Sequence, residues 1–166
     1  MLAGVALTAY ALDVGTKVWA VDRLSGRGPQ PLIGDLLQLN LTRNPGAAFS
    51  TGTEFTVALS TLALVAVVVV LYVARRVATT GWAVALGLLL AGVGGNLTDR
   101  LFRAPGPFRG HVVDFLQLPH WPIFNVADMC IDSAVALIVV QALRGVGIDG
   151  HRVGDDDAVP AQQEDS

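Results

Sequence analysis

Four long runs of apolar residues alternate with shorter polar segments along the chain. The runs cover about residues 1–22, 55–76, 80–102 and 122–143. A helix that crosses a bilayer needs roughly 20 consecutive, predominantly apolar residues, and each run has about that length. The pattern therefore predicts an all-α membrane protein with four transmembrane helices.

The second and third runs are separated by a short turn, whereas a long polar segment separates the first and second. Arg75 and Arg76 end the second run, and so short a turn makes the two helices antiparallel neighbours. Residues 23–54 are rich in Gly, Pro and Asn. Leu36 to Leu41 predicts a short strand before a turn at residues 44–46. We therefore predict a small extramembrane β-sheet within this segment.

The later polar segments are predicted to lack regular structure. Residues 102–122 contain several Gly and Pro residues, which predicts a loop, and Pro122 stands where a helix can begin. We therefore predict one membrane domain over residues 1–143. Residues 144–166 are rich in Gly and Asp, and we predict a disordered, acidic, cytoplasmic tail.

The first apolar run has two interpretations, a cleaved signal peptide or a retained helix. A signal peptide carries a basic segment ahead of its apolar stretch, and none precedes this run. Asp13 and Lys17 also interrupt it. We therefore predict a retained first helix.

Composition agrees with a membrane protein and excludes some partners. The chain has 166 residues, of which 52% are hydrophobic and 15% charged, and its mean hydropathy is +0.54. No basic patch interleaved with aromatic residues suggests nucleic-acid binding. The three histidines lack the spacing of metal ligands, so we expect no metal and no other cofactor. Membrane lipids are the expected surroundings.

Charge around the runs gives an orientation. Four spans put both termini on one side of the membrane, together with Arg75, Arg76 and Arg144. Cytoplasmic loops carry an excess of Lys and Arg, so we predict cytoplasmic termini. The count does not decide the matter alone, because the other side carries Arg23, Arg27, Arg43, Arg103 and Arg109.

Ionisable residues interrupt the first and third runs, although each costs roughly 3 kcal/mol in the bilayer centre. Asp13 and Lys17 are four residues apart, so they share a helix face and can pair. That pair either stabilises the helix or supports a site. Asn96, Asp99 and Arg100 form a second polar stripe on one face of the third helix.

Two aspartates are candidates for a catalytic pair. Asp114 comes into reach of Asp128 if the segment before the fourth helix folds back. Two carboxylates held close together cannot both ionise, so one keeps a proton. Acid-base hydrolysis of a peptide needs that division. Spacing alone does not show that the two residues meet.

Five short motifs, in order along the chain, resemble those of the lipoprotein signal peptidases, also called signal peptidase II. Any one of them alone is weakly specific, but five together on a chain of this length are highly specific. They are Asp13-Val14-Gly15-Thr16-Lys17, Asn44-Pro45-Gly46-Ala47-Ala48-Phe49, Gly95-Asn96-Leu97-Thr98-Asp99-Arg100, Gly110-His111-Val112-Val113-Asp114-Phe115 and Phe124-Asn125-Val126-Ala127-Asp128.

The resemblance implies a bacterial, membrane-bound aspartic endopeptidase that uses no metal. Such enzymes cut the signal peptide from diacylglyceryl-modified prolipoproteins just before the lipidated cysteine, and cyclic peptide antibiotics such as globomycin inhibit them. The catalytic residues would be Asp114 and Asp128, at the outer face of the cytoplasmic membrane. The supporting residues would be Asn44, Asn96, Arg100 and Asn125, with Asp13, Lys17 and Asp99 further out.

A different class of function also explains buried acids in a helical bundle. A small ion- or proton-conducting transporter would string its carboxylates along the spans, whereas a peptidase groups them at one depth. Asp114 lies in a segment predicted as a loop, outside the spans. Its position favours the peptidase.

Overall fold

The computed structural model describes residues 1–46 and 52–152, with the backbone alone for residues 52–54. The described part of the chain contains four helices and three strands. The helices are α1 (Leu2–Leu24), α2 (Gly52–Ala74), α3 (Thr80–Phe102) and α4 (Val126–Leu143), and the strands are β1 (Gln30–Ile33), β2 (Leu37–Asn44) and β3 (Val112–Gln117).

Helix α3 is the centre of the bundle and packs against α1, α2 and α4. Its glycines permit this close packing. A Cβ on Gly92 would lie 2.5 Å from the backbone oxygen of Ala127, and a Cβ on Gly95 would collide with the carboxylate of Asp13. Glycines in a membrane bundle let neighbouring backbones approach in this way.

Three helices are long and apolar enough to cross a membrane, among the residues that the structure describes. They are Phe55–Ala74 in α2, all of α3 and all of α4. The predicted helical membrane protein with a small sheet is therefore confirmed at this coarser level. Helix α1, which carries the buried Asp13 and Lys17, is not among the three.

The strands form one antiparallel sheet in the order β1-β2-β3. Asn44 pairs with Val112 and Thr42 pairs with Asp114. The predicted loop over residues 102–122 is therefore wrong for β3, and Asp114 lies on a strand. Three apolar neighbours of Asp114 are buried and place the strand on the bundle: Val112, Val113 and Phe115.

Helix α4 begins at Val126, later than the predicted start at Pro122. The side chain of Asn125 accepts a hydrogen bond from the backbone N–H of Asp128, and the Asp128 side chain accepts one from the N–H of Asn125. This reciprocal capping box fixes the helix start. The preceding Phe124 instead pairs with Leu116 of β3.

The chain beyond α4 folds back onto the turn between α2 and α3. The indole Nε1 of Trp82 donates to the backbone oxygen of Val146 at 2.9 Å, and the N–H of Ala78 donates to Ile148 at 3.0 Å. The prediction of a disordered tail is therefore wrong for residues 145–152. Residues 153–166 lie outside the described residues.

Candidate active site

Polar side chains from four elements meet at the end of the bundle that carries the sheet. Strand β2 ends at Asn44, β3 carries Asp114, and α4 begins beside Asn125 and Asp128. Asn96 joins them from the last two turns of α3. The two aspartates that the sequence singled out therefore line one cavity of about 470 Å³.

Asp114 is almost fully buried, and each of its carboxylate oxygens accepts a hydrogen bond from an asparagine amide. The Nδ2 of Asn44 donates to Oδ2 at 3.0 Å, and the Nδ2 of Asn125 donates to Oδ1 at 2.6 Å. The pKa of Asp114 is raised to about 6, chiefly by burial; the two amide hydrogen bonds and the charge of Lys17 lower it, and the negative charge of Asp128 raises it. Asp114 therefore holds a proton at a higher pH than an exposed aspartate does.

Asp128 is fixed through the same asparagine. Its Oδ2 accepts a 3.1 Å hydrogen bond from the backbone N–H of Asn125, and its Oδ1 accepts a 2.8 Å bond from the Nδ2 of Asn96. Asn125 thus contacts both aspartates, one through its side chain and one through its backbone. It sets their relative position.

A buried lysine supports the site from α1. The Nζ of Lys17 lies 2.9 Å from Asp13, 3.1 Å from Asp99 and 2.9 Å from the Oδ1 of Asn96. Asp13 in turn accepts a 2.8 Å bond from the N–H of Ala127 in α4. The Asp13–Lys17 pair therefore connects α1 to α3 and α4 and orients Asn96, whose amide reaches Asp128.

The three polar residues of the α3 stripe, Asn96, Asp99 and Arg100, contact different partners. Asn96 contacts Asp128, whereas Asp99 accepts the N–H of Val113 at 3.1 Å and pairs with Lys17 and with Arg103. Arg100 donates to the backbone oxygen of Pro45 at 3.4 Å. Arg100 was expected to support the catalytic residues. Its guanidinium contacts the turn after Asn44 and not the aspartates directly, among the described residues.

The apolar wall of the cavity was not predicted from the sequence. The wall consists of Leu118, Trp121, Pro122, Ile123, Phe124 and Met129. Asp132, which matched no motif, lines the same cavity. Asp132 lies about one helical turn after Asp128, and this spacing could have predicted that both side chains lie on the same face of α4. Trp121 is exposed and lies at the cavity.

The fold resembles solved structures of membrane enzymes. Two structures described as bacterial membrane enzymes, obtained by the in meso method, superpose with TM-scores of 0.75 and 0.72. They are 26% and 27% identical in sequence. The matches cover 84% of this chain and 90% and 85% of the two structures. The class is therefore that of a small helical membrane enzyme.

A family model described as Signal peptidase (SPase) II matches residues 5–144. The chain belongs to this family. It is 48% identical over 149 residues to the lipoprotein signal peptidase of Mycobacterium avium, covering 90% of this chain and 82% of that protein. The corresponding protein of Streptomyces griseus is 47% identical, with coverages of 90% and 76%. The predicted relationship is confirmed, and the matches do not support the alternative of a transporter.

Proposed function

We propose that this protein is an aspartic endopeptidase that removes the signal peptide from diacylglyceryl-modified prolipoproteins, cutting before the lipidated cysteine. One observation carries the proposal: Asn125 contacts Asp114 and Asp128 at once, at the edge of a cavity. Membership of the signal peptidase II family supports the same activity. Asp114 and Asp128 are the proposed catalytic residues.

The two aspartates divide the chemistry of hydrolysis. Because burial raises the pKa of Asp114 to about 6, Asp114 is the better candidate for the protonated acid, which donates to the carbonyl oxygen of the cleaved bond. Asp128 then takes a proton from the attacking water. When the tetrahedral intermediate collapses, Asp128 gives its proton to the nitrogen of the leaving amine, and Asp114 takes a proton back from a hydroxyl of the intermediate. Water is the nucleophile, so neither aspartate forms a covalent bond to the substrate.

The supporting residues fix the two carboxylates by hydrogen bonds. Asn44 and Asn125 occupy the oxygens of Asp114, and Asn96 and the N–H of Asn125 occupy those of Asp128. Lys17, charged and buried between Asp13 and Asp99, fixes Asn96. Arg100 positions the turn at Pro45. Each proposed role acts on the geometry of the dyad.

The cavity is suited to a substrate held by a lipid. Its apolar wall of Leu118, Trp121, Ile123 and Met129 matches the acyl chains and apolar flanks of a lipidated precursor. The two carboxylates lie at the sheet end of the bundle, where water can enter. Cyclic peptide antibiotics such as globomycin would compete for the same cavity.

We further propose that α1 is a fourth span. Its 23 residues make a helix of roughly 34 Å, which is enough to cross a bilayer. Both of its central charges, Asp13 and Lys17, are buried, whereas large apolar side chains are exposed along the helix: Leu7, Leu12 and Val18. The two central charges therefore do not meet lipid, and the exposed Asp22 and Arg23 lie in the last turn of the helix.

Four spans place both termini on the cytoplasmic side of the cell membrane and the active site toward the outer face. The test uses single cysteines in a Cys130→Ser background and a thiol reagent that cannot cross membranes. In intact cells, Arg27→Cys is expected to react and Ala78→Cys is expected to stay unlabelled until the cells are opened. The opposite pattern overturns the orientation, and labelling of both in intact cells shows that α2, which lies between the two positions, does not span.

Cleavage itself is tested with a purified, lipidated prolipoprotein and the purified protein in detergent. We expect a shift on a gel that corresponds to loss of the signal peptide, and an N-terminal cysteine on the larger product. The same precursor without its diacylglyceryl group is the control and is expected to remain uncut. An uncut lipidated precursor would contradict the proposed function.

A further inference from the structure

Asp132 is a charged residue inside the spanning helix α4, and the proposed mechanism does not use it. It is exposed, and it lines the same cavity as Asp114 and Asp128. Among the described residues, none forms a hydrogen bond or ion pair with its carboxylate. A carboxylate in a membrane span is costly and by default indicates a function.

The position of Asp132 relative to Asp128 determines which part of a bound substrate Asp132 can contact. The two residues are four apart on α4, so they share a face and are separated by about 6 Å along the helix axis. Helix α4 begins at the sheet and ends near Trp82, at the turn between α2 and α3. Asp132 therefore lies deeper in the bundle than the two proposed catalytic residues.

A substrate cut at the sheet end places its signal peptide on the deeper side. The residues just before the cleaved bond then pass Asp132. A distance of about 6 Å corresponds to about two residues of extended peptide. A carboxylate accepts hydrogen bonds only, so the matching group on the substrate is a donor. A hydroxyl side chain supplies a donor without bringing a charge into the membrane.

We propose that Asp132 is a specificity-determining residue that accepts a hydrogen bond from a Ser or Thr side chain at the second or third residue before the cleaved bond. The inference rests on the proposed function and names a feature of its substrate. Asp132 lines a cavity whose wall carries both polar and apolar side chains. A carboxylate oxygen accepts a hydrogen bond from a hydroxyl but not from a methyl group, so Asp132 discriminates between these two groups at that place.

The experiment compares lipidated precursors that differ by one oxygen atom. Each substrate carries Ser or Ala at the second, or at the third, residue before the cleaved bond. The wild-type protein is expected to cleave one Ser substrate with a kcat/KM about ten-fold above that of its Ala partner. Asp132→Leu is expected to abolish this preference, so that it cleaves the Ser and Ala substrates with equal kcat/KM. Asp132→Asn, which keeps an acceptor oxygen without the charge, is expected to keep a smaller preference.

Ser133→Ala is the matched control, because Ser133 is exposed at the same depth of α4 but does not line the cavity. It is expected to keep the full preference. Cleavage of the Ala substrate by Asp132→Leu also reports that the variant is folded. Equal losses on the Ser and Ala substrates, or a wild type that prefers neither, overturn the inference while leaving the proposed function standing. A wild type that cleaves none of the lipidated precursors overturns both.

Discussion

Asn125 donates a 2.6 Å hydrogen bond to Asp114 while its backbone N–H donates to Asp128. Its side-chain oxygen meanwhile accepts the N–H of Asp128 and caps α4. The residue that starts the helix therefore also spaces the two aspartates. Helix initiation and the geometry of the site depend on one side chain.

Two substitutions of Asn125 separate these tasks. Asn125→Ser keeps a capping oxygen but is too short to reach Asp114, so stability is expected to change little while kcat falls on the order of 100-fold. Asn125→Ala removes the cap as well and is expected to cost about 1 kcal/mol of stability in addition. Thermal unfolding in detergent and the cleavage assay measure the two effects. Equal stability of both variants would show that the cap contributes nothing.

Asn44 tunes the proton affinity of Asp114 through its 3.0 Å hydrogen bond. The bond favours the ionised carboxylate, so Asn44→Ala is expected to raise the pKa of Asp114 above its value of about 6. If Asp114 is the acid, activity declines as pH rises through this pKa, and the declining limb of the kcat/KM profile moves to higher pH in the variant.

Asn40→Ala is the control for this shift, because the Asn40 amide donates to Gln117 across the same pair of strands, at 2.8 Å. Its profile is expected to match that of wild type. A declining limb that stays in place or moves to lower pH in Asn44→Ala would contradict the role of Asp114. Movement of the rising limb alone would assign Asp114 as the base.

Lys17 neutralises two buried carboxylates, at 2.9 Å from Asp13 and 3.1 Å from Asp99. Lys17→Met leaves Asp13 without its cation, whereas Asp99 keeps its pair with Arg103, and breaking a buried pair costs roughly 3–5 kcal/mol. We expect a large drop in the unfolding temperature in detergent. Adding Asp13→Asn to Lys17→Met removes the uncompensated charge and is expected to restore part of the loss. No recovery would show that packing, not charge, explains the effect.

Arg100 and Arg103 are three residues apart and are expected to respond differently to truncation. Arg100 donates to the backbone oxygen of Pro45, next to Asn44, so Arg100→Ala is expected to lower kcat/KM about ten-fold or more by loosening that turn. Arg103 pairs with Asp99, away from the dyad, so Arg103→Ala is expected to affect stability more than cleavage. Equal losses of activity in the two variants would contradict this division.

Periodicity predicted the helices well, because long apolar runs admit few other structures. The strand predicted at Leu36 to Leu41 corresponds to the first part of β2 (Leu37–Asn44), since Gly and Pro bound a short apolar run there. Strand β3 was not predicted, because Pro105, Pro107 and Gly110 just before it are typical of a loop. Its residues Val112 to Phe115 are nevertheless buried. Its formation depends on pairing with β2, a contact between segments that are distant in sequence.

The residues of the site were predictable from the sequence, but some of their contacts were not. The resemblance to signal peptidase II indicated Asn44, Asn96, Asp114, Asn125 and Asp128, and the structure groups them at one end of the bundle. Spacing did not indicate that Lys17 joins two helices through Asp99. Nor did it indicate that Arg100 donates a hydrogen bond to the backbone oxygen of Pro45. Both depend on how α1 and the turn after β2 pack on α3.

The dyad is tested most directly by Asp114→Asn and Asp128→Asn, assayed on one lipidated prolipoprotein for both binding and turnover. Each change keeps the size of the side chain and removes its titrating group, so binding is expected to persist while cleavage disappears. Asp35→Asn, at an exposed acid in the turn between β1 and β2, is expected to cleave like wild type. Cleavage near the wild-type rate by either dyad variant, or loss of activity in Asp35→Asn to the same extent, would contradict the assignment of Asp114 and Asp128.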